Sequence, residues 1–435
     1  MIKKTMIIML LFFFLLTNIS STYSIETVSN EKYGIIISNS KTFYVGGCGA
    51  GNYSSIQAAI NDASNGDLIF VYDNSSPYFE KIIIDKEINL TGENRYTTII
   101  DADESGDAVR IICDGVQFYN FTVQNTGIGN SPDVLKNSAI EIISSDNHII
   151  KNNICIDTNY GIWTEYSNNN VILNNNIYGF YDGISLDESK NNILKDNIMF
   201  GSGLVISGST KPLLIHDIDT SNIVNGKPVY YYKNQSGLKV PQNAGEVIIV
   251  NCSNFIIENL EITNVTNGME ILYSNQNNIR NNSIFNTTDF GIRLEKSNNN
   301  NIKNNNISYC SFGIGFCKGG FDGLKENANC KYNLISNNTL FFNDYIGIVI
   351  VKSNFNKICC NNFIGNKIDH ARFVCSYRNK WCNNYWDNWI GLRFKTLRFL
   401  PKAIPGSLTK QFYWSNLWFN FDKNPTLEPT NYCVL

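Results

Sequence analysis

The stretch QNNIRNNSIFN at residues 276–286 returns 23 residues later as NNNIKNNNISY at 299–309, and that repetition decides the fold. The same frame is legible in DNHIIKNNICI from Asp146, NNVILNNNIYG from Asn169, KNNILKDNIMF from Lys190 and SNFIIENLEIT from Ser253. It continues in KYNLISNNTLF from Lys331 and FNKICCNNFIG from Phe355. Ile149, Ile172, Ile193, Ile256, Ile279, Ile302 and Ile358 are assigned to one position, with steps of 23, 21, 63, 23, 23 and 56 residues. The two long steps hold insertions or less regular coils. A second anchor follows each first one, a Gly and then an apolar residue: Gly161-Ile162, Gly183-Ile184, Gly203-Leu204, Gly268-Met269, Gly291-Ile292, Gly313-Ile314 and Gly347-Ile348. After each Gly the sequence alternates with period two, as in GIRLEKS from Gly291, which is a strand with one face buried.

Short strands, tight turns and a period near 23 predict an all-β, right-handed parallel β-helix, a single-stranded pectin-lyase-like solenoid. Each coil would place its strands about 4.8 Å along the axis from the last, so that Ile stacks on Ile. Asn, roughly 15% of the chain against ordinary usage led by Leu, Ala and Gly, suits the corners. It tolerates left-handed backbone angles, and stacked Asn amides can bond one another as a ladder. A leucine-rich repeat needs a Leu-x-x-Leu-x-Leu frame that is absent.

The remaining segments give the domain organisation. Residues 1–24 read as a signal peptide, with Lys3 and Lys4, an apolar run from Met6 to Leu16 and a small-residue exit. No later segment looks transmembrane, so the expected location is secreted, extracellular or cell-surface. Residues 45–95 read as an N-terminal cap with entry strands, and Ile56, Ala59 and Ile60 share one face of a short capping helix begun by Ser54 or Ser55 and ended by Gly66. Residues 96–390 read as the β-helix, with an irregular insertion at about 207–250 that carries Pro212, Pro228, Pro241 and three consecutive Tyr. Residues 391–435 read as a C-terminal cap or tail.

The 435-residue chain is 43% hydrophobic with a formal net charge of -3, enough apolar content for a core and no basic field to recruit nucleic acid. Its 12 Cys fit no small disulfide framework. Cys113 and Cys155 are expected as buried thiols, and Cys360 and Cys382, one coil apart, are placed to stack or pair. Asn-x-Ser/Thr sequons allow glycosylation.

Three motifs together carry a resemblance: the NGDLIFV entry from Asn65, the HDIDTSN…VNGKPVYYY insert from His216 and the NNYWDNW close from Asn383. With the coils, they resemble the NosD-like β-helix family over about residues 45–430. The resemblance implies the β-helix fold. It also implies kinship with secreted and surface proteins of archaeal type, and the family name implies a periplasmic copper-binding protein. Copper sites want converging His, Met or Cys, yet this chain has three His, His148, His216 and His370, and after the leader only Met199 and Met269. No metal ligand, cofactor or catalytic residue is assigned.

The same fold serves polysaccharide lyases, hydrolases and pectin methylesterases, which need acids clustered on an outer strand. In the Gly-anchored strands the second residue after Gly points away from the solenoid core, giving a row of Trp163, Glu165, Asp187, Glu270, Arg293 and Glu295, interrupted by the insertion. Trp163 offers a sugar-stacking surface and the carboxylates offer acceptors for hydroxyls. The Asn-Thr-Asp, Asp-Asp and Gly-His-Gly set of the hydrolases is absent. The sequence therefore reads as a non-catalytic secreted or cell-surface protein whose outer row contacts a glycan or cell-surface partner. The alternatives are a carbohydrate-active enzyme and a copper-handling protein.

Overall fold

Why two Asn in a row recur becomes clear in the computed structural model, which describes residues 40–127, 137–318, 327–389, 401–407 and 418–430. The two members of each pair do different work. The first takes the left-handed corner: Asn152, Asn174, Asn281, Asn304, Asn337 and Asn383 have φ between 53° and 56°. The second is buried. Asn282 donates from Nδ2 to Oδ1 of Asn305 at 2.9 Å and to the Ile257 carbonyl at 3.0 Å. Its own Oδ1 accepts from the Leu260 amide at 3.0 Å. Asn305, Asn338, Asn361 and Asn384 repeat this. The ladder ends on Asp422, whose Oδ2 accepts from Asn384 Nδ2 and from Trp386 Nε1. A second ladder runs from Asn277 through Asn300, Asn333 and Asn356 to Asn379. Burying an amide is tolerable only when its donors and acceptors are met, and one Asn per coil meets those of its neighbours.

Register is set from these buried Asn. Two residues beyond each ladder position lies the core residue: Phe118, Ile150, Ile172, Leu194 and Ile218 stand in parallel register, as do Ile257, Ile279, Ile302, Ile335, Ile358 and Trp381. The assignment of Ile149, Ile193 and Ile256 to the core position is therefore off by one. They are half-buried, and Ile150, Leu194 and Ile257 are buried in their place. A period-two strand with adjacent aliphatic residues gives no local sign of which one faces in. In the Gly-anchored strands the expected register holds: Ile162, Ile184, Leu204, Met269, Ile292, Ile314 and Ile348 are all fully buried in the core.

The ladder begins earlier than Tyr96. Thr42–Val45 pairs in parallel with Leu68–Val71, and that strand with Asn89–Gly92. A helix, α1 (Ile56–Asp62), buries Ile56, Ala59 and Ile60, and Ser55 caps it by accepting from the Ala58 amide. It stops at Ala63, whose amide bonds Ala59 and Ile60 carbonyls, and not at Gly66.

The stack is broken within the insertion. Ile223–Val224 pairs in parallel with Ile198–Met199, then turns back and pairs antiparallel with Lys227–Pro228. The same returning strand, Lys227–Lys233, pairs in parallel with Glu246–Val250 and opens a second run of coils. The Gly-anchored strands are thus laddered in two sets. One runs from Val109–Ile111 through Ser138–Ile143, Ile154–Glu165 and Asn176–Asp187 to Gly203–Ser207. The other runs from Glu246–Val250 through Met269–Leu272, Phe290–Glu295, Phe312–Phe316 and Ile346–Val351 to Asp369–Val374. Lys402–Ser407 and Trp418–Asp422 pair antiparallel and close the second set. Ser40–Leu435 forms one compact unit. The expected leader at 1–24 lies outside the described residues, as does much of 391–435.

Candidate functional site

The expected outer row is divided by this break, and most of it is not on the surface. Trp163 pairs with Ser185, and Glu165 with Asp187, in the first set. Glu270 pairs with Arg293 in the second, with Glu295 two residues beyond Arg293. All six point away from the solenoid core, but Trp163 is 7% exposed and Glu270, Arg293 and Glu295 are 0%. The expectation of a solvent-facing row is corrected for these four. For Glu270, Arg293 and Glu295 the cause is that Gly203–Ser207, the last strand of the first set, has no coil to pair with, and the outward face of the second set covers its open edge.

Side chains take the place of the missing strand. Glu246 Oε2 accepts from the Leu204 amide at 3.0 Å and Thr266 Oγ1 from the Gly203 amide at 3.0 Å. Arg293 Nη2 donates to the Ile206 carbonyl at 2.6 Å and to Glu270 Oε2 at 2.9 Å, and Nη1 donates to the Lys318 carbonyl. A Cβ at Gly203 would stand 2.9 Å from both Glu246 carboxylate oxygens and would displace that carboxylate. Exposed strand edges invite unwanted pairing, and here a row of charged side chains seals one.

The seam is crowded with acids. Burial, then the nearby Asp289 and Glu270 charges, push the Asp182 carboxyl well above its ordinary range. Burial, opposed by the Leu204 amide, does the same to Glu246. Burial raises Glu270 and Glu295 too, with Arg293 opposing. Perturbed acids often mark active sites, but structural networks perturb them as well. In this seam Glu246 holds the Leu204 amide, and Glu270 holds the Arg293 guanidinium and the Asn267 side-chain amide.

The three histidines are likewise occupied in structure. His148 and His216 stand where a ladder Asn would be: Nδ1 of His148 accepts from the Val116 amide at 3.2 Å, and Nδ1 of His216 from the Asn192 amide at 3.4 Å. Burial holds them neutral, lowering His148 to about 4 and His216 to about 3. His370 Nε2 meets Asp387 Oδ1 at 2.6 Å and its Nδ1 meets Asn366 Nδ2 at 3.0 Å. Among the described residues no three His, Cys, Asp or Glu converge as a metal site. The soft ligands that could draw copper are dispersed, so the residues present do not fit a copper centre.

The cysteines sort by register. Cys359 and Cys382 are strand partners and form a disulfide with a Cα–Cα distance of 4.6 Å. The expected pairing of Cys360 with Cys382 is corrected: Cys360 occupies the left-handed corner at φ 61°, one residue past the strand partner. Cys155 is a buried thiol pushed up to about 12 by burial, while Cys113 is only half-buried.

An open cleft lies elsewhere, at the end of the second set. It has a volume of about 610 Å³ and is lined by Asn354, Phe355, Ser376, Tyr377, Arg378, Trp418 and Asn420. Phe355, Tyr377 and Trp418 are exposed, at 38%, 50% and 52%. Asn354 Oδ1 accepts from the Tyr377 amide at 2.6 Å and fixes the two corners to each other. Phe355 stacks on Tyr332, with ring centroids 5.4 Å apart and planes 19° from parallel, and the Arg378 guanidinium lies 5.5 Å from the Phe355 centroid on the next coil. Asn420 Nδ2 has no hydrogen-bond partner among the described residues. Sequence reasoning passed over these residues, though a signal existed. Where Asn169-Asn170, Asn191-Asn192, Gln276-Asn277 and Asn299-Asn300 stand before the strand in earlier coils, these read Tyr332-Asn333, Phe355-Asn356 and Arg378-Asn379.

The sequence matches the periplasmic copper-binding protein (NosD) family over residues 97–243 and 216–391. No functionally curated protein matches it significantly. Among solved structures it is similar to the catalytic domain of a GH87 alpha-1,3-glucanase in complex with nigerose, at 14% identity and TM-score 0.38, covering 76% of this chain and 66% of that one. It is also similar to a pectin methylesterase variant in complex with a hexasaccharide, at 11% identity, TM-score 0.32 and coverage of 53% and 80%. The pectin methylesterase of Yersinia enterocolitica matches at 14% identity and TM-score 0.28, covering 51% of this chain and 81% of that one. This chain spans just under two thirds of the glucanase domain. The family match covers more than half of the chain, which therefore belongs to the NosD family of right-handed parallel β-helix proteins.

Proposed function

We propose that this NosD-family protein is exported and presents a glycan-binding surface, without catalysis, and that the glycan seats in the cleft at the end of the second set of coils. The observation that carries this reading is the grouping of three exposed rings, Phe355, Tyr377 and Trp418, with Asn354, Arg378 and Asn420 around one open cleft. Aromatic faces supply apolar contact for pyranose C–H groups, and amides supply the few oriented hydrogen bonds that sugar sites use. Export is supported by the leader-like residues 1–24. No described helix is long and apolar enough to cross a membrane. Glu165 and Asp187, half-buried and paired in register on the first set, remain a second place for contact.

A glycosidase needs two carboxyl groups flanking the scissile bond, and none lines the cleft among the described residues, which favours binding over turnover. The test is a glycan array on the protein lacking residues 1–24, followed by titration calorimetry with the best ligand. Trp418→Ala and Tyr377→Ala should each weaken binding at least tenfold at an unchanged thermal midpoint. Unaltered affinity in both would remove the cleft as the site.

A further inference from the structure

Resting on that reading of the cleft, we propose that its ligand is an acidic glycan, a uronic-acid oligosaccharide, whose carboxylate is taken by Arg378. The corner column that leads into the cleft changes chemistry along its length. Gln276 and Asn299 occupy it in earlier coils at φ 60° and 57°, and then come Tyr332, Phe355 and Arg378 at φ 56°, 60° and 56°. A left-handed backbone suits Asn and is unfavourable for bulky side chains. Bulky residues take left-handed corners elsewhere too, at Tyr166, Tyr273, Tyr309 and Phe342, so what sets this column apart is the succession of two stacked rings and a guanidinium in three consecutive coils.

What they present is a prearranged guanidinium. Tyr332 and Phe355 lie face to face, and Arg378 sits over the free side of Phe355. Stacking uses the faces of a guanidinium and leaves its N–H donors free in the plane. That planar fork matches a carboxylate with two parallel hydrogen bonds, which a neutral sugar cannot offer. Among the described residues no carboxylate lines the cleft to neutralise Arg378. Among the described residues Arg378 has no ion-pair partner, and neither do Lys357 and Lys380, in register with each other on the strands that follow the Phe355 and Arg378 corners. A local cation cluster on a chain of net charge -3 is a charge complement to an acidic ligand, since the whole molecule supplies no general attraction. The rings of Tyr377 and Trp418 then take the pyranose faces.

The experiment uses a panel of uronic-acid hexasaccharides (galacturonate, mannuronate and guluronate) and the carboxyl-reduced counterpart of each, titrated against the protein lacking residues 1–24. At least one acid should bind tenfold or more tighter than its reduced form, and raising salt should narrow the gap. Arg378→Lys should lose most of that preference, because an ammonium is a point charge, and Arg378→Gln should lose all of it while both keep the wild-type thermal midpoint. Lys380→Gln, at an exposed position, should reduce the salt dependence only. Equal binding of acid and reduced forms would overturn this inference and leave the glycan reading standing. Binding of no glycan in any form, or of a single-stranded oligonucleotide in preference, would overturn both.

Discussion

Replacing Arg293 by Met tests the account of the seam most sharply. The Arg293 side chain is fully buried, as is its partner Glu270, and the two meet at 2.9 Å. Met retains much of the aliphatic volume and removes the donors to Glu270, Ile206 and Lys318. Glu270 would keep the Asn267 amide at 2.7 Å and lose the charge that opposes its desolvation. Removing one member of a buried pair typically costs about 3–5 kcal/mol. An independent bound comes from protonation. Holding a carboxyl neutral at pH 7 against a solution pKa of about 4.3 costs about 4 kcal/mol, at roughly 1.4 kcal/mol per pH unit. The loss at pH 7 should therefore be about 3–5 kcal/mol and should shrink on acidification toward pH 4.5, as Glu270 takes up a proton in folded and unfolded chains alike. The double variant Arg293→Met, Glu270→Gln should recover most of it, because no charge is then stranded. Repeat proteins need not unfold in one step, so the assay is hydrogen exchange at the Leu204 and Ile206 amides alongside urea denaturation. A loss below about 1 kcal/mol, a loss independent of pH, or a double variant no better than the single one would refute the reasoning.

Three further outcomes follow from the same structure. The folded-state pKa values of Asp182 and Glu246 are raised by burial, so each group's penalty is absent below about pH 4 and grows as pH rises toward the folded value. Asp182→Asn should therefore stabilise the protein at pH 7 relative to wild type and make no difference near pH 4 in thermal melts; a gain confined to low pH would contradict this. Asn305→Ala should cost about 1–3 kcal/mol by leaving ladder partners unpaired, whereas its neighbour Asn304→Gly, at φ 56°, should change urea stability by only a few tenths of a kcal/mol; equal effects would show that the two Asn are not distinct in role. Ile292→Asp should cost several kcal/mol or prevent folding, because the charge would have no partner in the core, while Tyr309→Asp, at an exposed corner, should be tolerated in the same melts.

The coil period, the parallel β-helix, the Gly-anchored core positions and the capping helix were legible in order along the chain, because each depends on neighbours a few residues or one coil away. The one-residue errors at Ile149, Ile193 and Ile256 arose where two aliphatic residues adjoin and the strand alone cannot say which faces inward. The buried ladder position two residues upstream, held by His148, Asn192 and Phe255, resolves it, but its burial is seen only when coils are stacked. The outer row failed for a different reason. Glu270, Arg293 and Glu295 are ordinary outward alternates in sequence, and only the return of the chain at Val224–Lys227 lays them over the open edge of Gly203–Ser207. The desolvation that reshapes their charges is a property of what covers them, which no local pattern encodes. The cleft likewise joins Phe355 and Arg378 to Trp418 and Asn420, brought together by the closing hairpin. Periodic chemistry fixed the coil; the sites came from where the coiling stops, since an interrupted stack leaves an edge and an end that distant side chains must meet.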